Sequence, residues 1–145
     1  MSQVKLFREN TRVLECHLKN INKTDCCCYG VSESQCFVLV EIGRKSNISV
    51  KELAEILHLD KSGISRIVEE LVQKDYVERK TSIEDRRYVL LNLTPKGKEH
   101  FEKIENDMNR KFKEILNKIP TDKREQIIES LQIYNSVCDE IERIK

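Results

Sequence analysis

A chain of 145 residues fits one compact domain with helical extensions and leaves little room for a separate enzymatic domain. Lys and Arg number 26 against 25 Asp and Glu, so net charge alone points to no anionic partner and any basic surface must come from local placement. The 4 Gly and 2 Pro favour long helices over a many-turned all-β fold. The charged stretch from Met1 to Asn10 does not read as a signal peptide, and no apolar run approaches the roughly 20 residues of a membrane span, so a cytoplasmic protein with no membrane partner is expected.

Val4, Phe7, Leu14, Leu18 and Ile21 recur at helical steps, predicting an opening amphipathic helix that ends near Asn22. Asn22 to Gly30 reads as a connection carrying three adjacent thiols, Cys26, Cys27 and Cys28. Ser32-x-x-Gln35 has the form of a capping box and starts a second helix through Cys36, Leu39 and Val40, ended by Gly43 and the polar residues after it. Ser49-Val50-Lys51-Glu52 is a second capping box, opening a short helix with Val50, Leu53, Ala54 and Leu57 on its apolar face. It closes at His58-Leu59, where His58 reads as a surface or capping residue; His17 and His100 lie far from it in sequence and complete no metal signature. Asp60 is placed to cap the next helix, with Ile64, Ile67, Val68 and Leu71 inward and Lys61, Ser62, Ser65, Arg66 and Glu69 outward. Two short helices joined this tightly form a candidate helix-turn-helix.

After Lys74-Asp75 the period becomes extended. Tyr76 to Lys80 and Arg87 to Leu93 predict a two-stranded hairpin with a charged tip. Thr94-Pro95 is a strong helix start, and Phe101, Ile104, Met108, Phe112, Ile115 and Ile119 continue an apolar stripe until Pro120-Thr121. A last helix follows with Ile127, Leu131, Tyr134, Cys138 and Ile141 predicted inward. The expected fold is mainly α with a two-stranded β-wing: a winged helix-turn-helix over residues 32–97, between an N-terminal dimerisation helix and Cys-rich connection (1–31) and C-terminal dimerisation helices (98–145). A module this small cannot cover both terminal stripes, and a homodimer would bury them.

Val50-Lys51-Glu52-Leu53-Ala54, Leu59 through Arg66, Leu71 through Arg79, Glu84-Asp85-Arg86-Arg87 and Leu93 through Gly97, in that order, make the chain resemble the MarR family of bacterial and archaeal regulators. The resemblance covers nearly the whole length and implies a dimeric transcription regulator, expected to be a repressor, that binds double-stranded operator DNA. Asp75 stands where the family commonly has glycine; aspartate tolerates a left-handed backbone better than most residues, so the helix end survives.

A recognition helix puts its N-terminal turns into the major groove. Exposed Lys61, Ser62, Ser65 and Arg66 are then the side chains able to reach bases and phosphates, with Gly63 permitting close approach. Arg66 can bind guanine bidentately or hold phosphate, and the other three suit backbone contacts. The charged tip is the form that lets an arginine enter a narrow minor groove. The family resemblance implies Arg87 for that role, oriented by an ion pair with Asp85, and leaves Arg86 a phosphate contact.

Cys26-Cys27-Cys28, with Cys36 downstream and Cys16 upstream, lie where the resembled family binds phenolic ligands, oxidants or metals. In a reducing compartment they read as free thiols or ligands rather than disulfides. One reading is a thiolate site for a thiophilic metal or metalloid ion; a second is a redox switch. In an extended segment Cys26 and Cys28 point to one side and could converge with Cys36 or Cys16. Against these stands an unreactive triplet, with Cys36 and Cys138 packed as small apolar residues and a small organic effector in place of a metal. A thiol buffer would leave Lys61 to Arg66 and Glu84 to Arg87 without a purpose. An enzyme would need a nucleophile–base pair or phosphate loop, which these residues do not assemble, so no enzymatic activity is expected.

Overall fold

The computed structural model describes the backbone of residues 2–28 and 30–144, with side chains throughout those spans except at 23–28 and 144. Helix α1 runs Gln3–Cys28, past the expected end near Asn22. The apolar stripe stops at Ile21, but no Gly or Pro lies between Asn22 and Cys28, so the backbone has no reason to leave the helix there. Among the described residues the first left-handed one is Gly30, with φ 69°. A stripe reports which face is covered, not how far a helix extends.

Helix α2 (Glu33–Arg44) begins at the expected capping box: Gln35 N–H donates to Ser32 Oγ at 3.2 Å, and Ser32 N–H donates to Gln35 Oε1 at 3.1 Å. Helix α3 (Val50–Leu57) is capped by Ser49 Oγ, which accepts from Glu52 N–H at 3.1 Å; the Glu52 carboxylate meets Ser49 Oγ and the Lys45 ammonium. Its C-cap is His58, left-handed at φ 54°. Helix α4 (Lys61–Gln73) buries Ile64, Ile67, Val68 and Leu71. These side chains, with Val38, Leu39 and Ile42 of α2 and Leu53 of α3, form the core.

The hairpin consists of β2 (Val77–Thr81) and β3 (Val89–Leu93), paired antiparallel from Val77 opposite Leu93 to Thr81 opposite Val89. The sheet has three strands, not two. A two-residue strand β1 (Ile48–Ser49) pairs with β3, Ile48 opposite Leu91, giving the order β1-β3-β2. Asn47, left-handed at φ 60°, donates its N–H to Asn92 Oδ1 at 2.9 Å and accepts from Asn92 Nδ2 at 2.8 Å, which delivers Ile48 to a fully buried position.

Helix α4 ends in a Schellman turn. Asp75 is left-handed at φ 64°, its N–H reaches Val72 O at 3.0 Å, and Tyr76 N–H reaches Leu71 O at 3.0 Å, as expected of an aspartate replacing glycine. Thr94 then caps helix α5 (Pro95–Lys118), its Oγ1 accepting from Gly97 N–H at 3.0 Å and donating to Asp75 O at 2.6 Å.

The chain divides into two compact units, residues 1–105 and 106–145. In the second, α5 finishes, a 3₁₀ turn (Thr121–Lys123) follows, and α6 spans Arg124–Ile144. Arg124 closes the end of α5 by donating to Ile119 O at 3.0 Å and Asn117 O at 3.2 Å. No described residue of α6 is buried; Ile127, Leu131 and Ile141, expected inward, are 39%, 43% and 53% exposed. Val4, Phe7, Leu14 and Leu18 of α1 are exposed as well. Both stripes exist, and the chain itself leaves them uncovered.

Candidate nucleic-acid interface

Lys61, Ser62, Ser65 and Arg66 are all exposed on the first two turns of α4, opposite the buried Ile64, Ile67 and Val68. Asp60 occupies the N-cap position expected for it, and its carboxylate also accepts the Ser62 hydroxyl. That bond first, then hydrogen bonds from the backbone of Asp60 and Gly63 and last the Arg66 charge, hold the Asp60 carboxyl below the ordinary carboxylate range. A Cβ on Gly63 would lie 2.8 Å from Asp60 Oδ1, so the missing side chain makes room for Asp60 within the helix tip.

The wing tip is built around one residue. Asp85 accepts from Arg87 Nε at 3.0 Å through Oδ1 and from the terminal guanidinium nitrogen at 2.9 Å through Oδ2, while its Oδ1 also takes Arg87 N–H at 3.1 Å. Asp85 N–H is anchored on Ser82 Oγ at 3.3 Å, and Ser82 N–H on Tyr88 O at 3.0 Å. The Arg87 side chain is nonetheless 86% exposed: a cation held in one orientation and presented to solvent. The hydrogen bonds from Arg87 hold the Asp85 carboxyl below its ordinary range. Arg86 is exposed beside it.

Helix and wing are tied together. Arg79 of β2 donates to Glu69 of α4 at 2.6 Å, and Gln73 to the other Glu69 oxygen at 2.9 Å; Gln73 first and Arg79 second hold the Glu69 carboxyl low. This link had no local sequence signal, because the two residues belong to different elements ten positions apart. It fixes the strand that carries the wing to the helix that carries Arg66.

The six cysteines are spread over α1, α2 and α6. The thiols of Cys26, Cys27 and Cys28 lie outside the described residues, but the backbone through them is helical, which removes the extended alternation on which their convergence was expected. Cys26 lies ten helical steps beyond Cys16, about 15 Å along the axis, too far to share one ion within a protomer. Cys16 is exposed, Cys36 is buried in α2 and Cys138 is half-buried on α6.

A helix-turn-helix packed on a short antiparallel sheet, with cations projecting from the second helix and from the hairpin tip, defines a winged-helix DNA-binding protein. The MarR family model matches residues 29–87. The chain is 30% identical over 103 residues to the HTH-type transcriptional regulator BilQ of Clostridium symbiosum (strain WAL-14163), covering 71% of this chain and 72% of that protein. It is 32% identical over 75 residues to the HTH-type transcriptional repressor MdtR of Bacillus subtilis (strain 168), 52% of this chain and 48% of that one. Its fold matches Streptococcus pneumoniae FabT, solved in complex with DNA, with a TM-score of 0.83 at 16% identity over 93% of this chain and 99% of that one. The chain belongs to the MarR family and is a DNA-binding transcriptional regulator. No helix among the described residues is long and apolar enough to cross a membrane.

Proposed function

We propose that the chain is a homodimeric repressor that reads a pseudo-palindromic operator, with Lys61, Ser62, Ser65 and Arg66 in the major groove and Arg87 in the minor groove. The observation that carries this reading is the wing tip: a nearly fully exposed guanidinium held at two nitrogens by Asp85. Fixing an arginine before binding removes part of the entropy otherwise lost on entering a narrow groove. Arg86 takes a flanking phosphate. The open apolar stripes of α1 and α6 supply the surface for a second copy, and two-fold symmetry dictates two inverted half-sites. Repression follows the relative named a repressor, since an operator-bound dimer blocks other proteins from the same duplex.

Cys26–Cys28 supply the signal in this reading, as thiolates that take a thiophilic ion or an oxidant at the end of α1. To test both parts, a duplex selected by the reduced protein is titrated by fluorescence anisotropy across a salt series. A steep salt dependence, and loss of binding in the Arg66→Ala, Arg87→Ala double variant, are expected. Binding retained by that variant refutes the reading surface. Zn(II), Cu(I) and dilute peroxide are then added in separate arms; an operator affinity that no addition changes, or that changes equally after replacement of Cys26, Cys27 and Cys28 by Ser, refutes the thiol signal. In that case a small organic effector becomes the reading to pursue.

A further inference from the structure

The end of α4 remote from its DNA-facing tip is held by a polar cluster that the reading of DNA does not use. Lys74, the C-cap of α4, donates its ammonium to Gly30 O at 2.8 Å and to Gln35 Oε1 at 2.8 Å. Gln35, only 8% exposed, donates Nε2 to Glu70 of α4 at 2.7 Å, and its Oε1 also takes the N–H of Ser32. A side chain at the start of α2 is thereby bonded to two residues of the recognition helix 35 and 39 positions away. The cluster bridges the turn after α1, the start of α2 and the last turn of α4.

Its position on the chain is specific. Gly30 is the left-handed residue after α1, with nothing within 4 Å of where a Cβ would stand, and its carbonyl accepts from the Lys74 ammonium. Beyond Lys74, the Schellman turn passes to Asp75 O and Tyr76 O, which accept from Thr94 Oγ1 and Thr94 N–H at the root of β3 and α5. A rotation of the peptide at Gly30 therefore meets a charged side chain whose own backbone ends the reading helix. Of the four residues only Gln35 is buried, so its amide is the group for which a lost partner is costly, while Lys74 reaches from that amide to the exposed Gly30 carbonyl and couples the two.

We infer that Lys74 and Gln35 are positioning residues that transmit the conformation of the turn after α1 to the recognition helix, so that a change at Gly30 alters DNA affinity through Lys74 and not through contact with DNA. The inference rests on α4 being the DNA-reading helix and holds whether or not the signal at α1 is borne by thiols.

A double-variant cycle on the full-length dimer tests it, with affinity for a selected operator duplex as the readout. Gly30→Ala forces the left-handed backbone to change while adding a methyl into open space. It is expected to weaken operator binding about fivefold in the wild-type background, within the range of site-to-site coupling. In the Lys74→Met background the same change is expected to alter affinity less than twofold, whereas Lys74→Arg, which keeps the donors, retains the response. Lys74→Met itself leaves the salt slope unchanged. An equal Gly30→Ala effect in both backgrounds, or none in either, overturns the inference. So does a salt slope reduced by about one in Lys74→Met, which would make Lys74 a phosphate contact. Should Lys74→Met fail to fold, Gln35→Met takes its place with the same expected outcomes. Arg66→Ala, run alongside, separates the two levels: unchanged affinity there refutes α4 as the reading helix and the inference with it, while a loss there with an uncoupled cycle refutes the inference alone.

Discussion

Gly97→Ala tests how tightly the recognition helix, the wing and α5 are joined. Position 97 is helical, where alanine is ordinarily favoured over glycine by about 1 kcal/mol. Here an added Cβ would lie 2.0 Å from Tyr76 O and 2.9 Å from Tyr76 C, which are backbone atoms with no rotamer to move aside. The start of α5 must withdraw by more than an ångström. That withdrawal strains the bonds from Gly97 N–H to Thr94 Oγ1 at 3.0 Å, from Thr94 Oγ1 to Asp75 O at 2.6 Å and from Thr94 N–H to Tyr76 O at 3.0 Å. With about 1 kcal/mol for each bond weakened and 1–3 kcal/mol for overpacking, offset by about 1 kcal/mol of propensity, the net destabilisation is about 3–5 kcal/mol. For a chain of this size that lowers Tm by roughly 10 °C. Thermal and urea unfolding at one fixed protein concentration measure it, since a dimer's Tm depends on concentration. Gly63→Ala is the comparison: its Cβ meets only the movable carboxylate of Asp60, and a change within about 0.5 kcal/mol is expected. A Gly97→Ala protein as stable as wild type would show that α5 and the end of α4 are free to separate, and would refute the reasoning.

Three further outcomes follow from local geometry. Asp75→Gly removes the steric cost of a left-handed non-glycine residue and is expected to stabilise the chain by up to about 1 kcal/mol in urea unfolding, whereas Asp75→Ala destabilises it. Arg87→Ala is expected to weaken operator binding by about tenfold or more, and Asp85→Asn by less, because the guanidinium survives without its tether. Tighter binding in Asp85→Asn would mean that repulsion from phosphate outweighs orientation. The Lys45 hydrogen bond holds the Glu52 carboxyl below the ordinary range, so its folded pKa lies below its unfolded one. The stabilisation it gives is present above the unfolded value and lost as pH falls through the folded one, on the acid side of about pH 4.3. Lys45→Met is expected to move the Glu52 titration, followed by carboxyl carbon NMR, back up toward the ordinary value; an unmoved titration excludes Lys45 as the cause.

What could be read from the sequence was whatever a local pattern dictates. The Ser32–Gln35 box, the apolar face of α4, the hairpin and the Thr94-Pro95 start each depend on residues within a few positions of one another, and each is present. The misses have physical causes. Strand β1 is two residues long and shows no period, and its Ser49 also belongs to a capping pattern. The apolar stripe that marks α1 stops at Ile21, although the polar residues after it are compatible with helix. Links such as Glu69–Arg79 and Gln35–Lys74 join separate elements, and no window of sequence contains their geometry. Periodicity marked α6 as amphipathic without saying that its apolar face is left for another surface.

The short strand β1 makes the binding surface a gauge of fixed span. Because Ile48 and Ser49 are bonded into β3 while Ser49 caps α3, and Glu69 pins Arg79, the helix-turn-helix and the root of the wing move as one piece. In the proposed reading, the spacing from Arg66 to the root of the wing that carries Arg87 is therefore set before any duplex arrives. DNA, the softer partner, must bring an adjacent major and minor groove to that spacing. Sequences that narrow or flex easily at the step beneath the wing are then preferred even where no side chain touches a base.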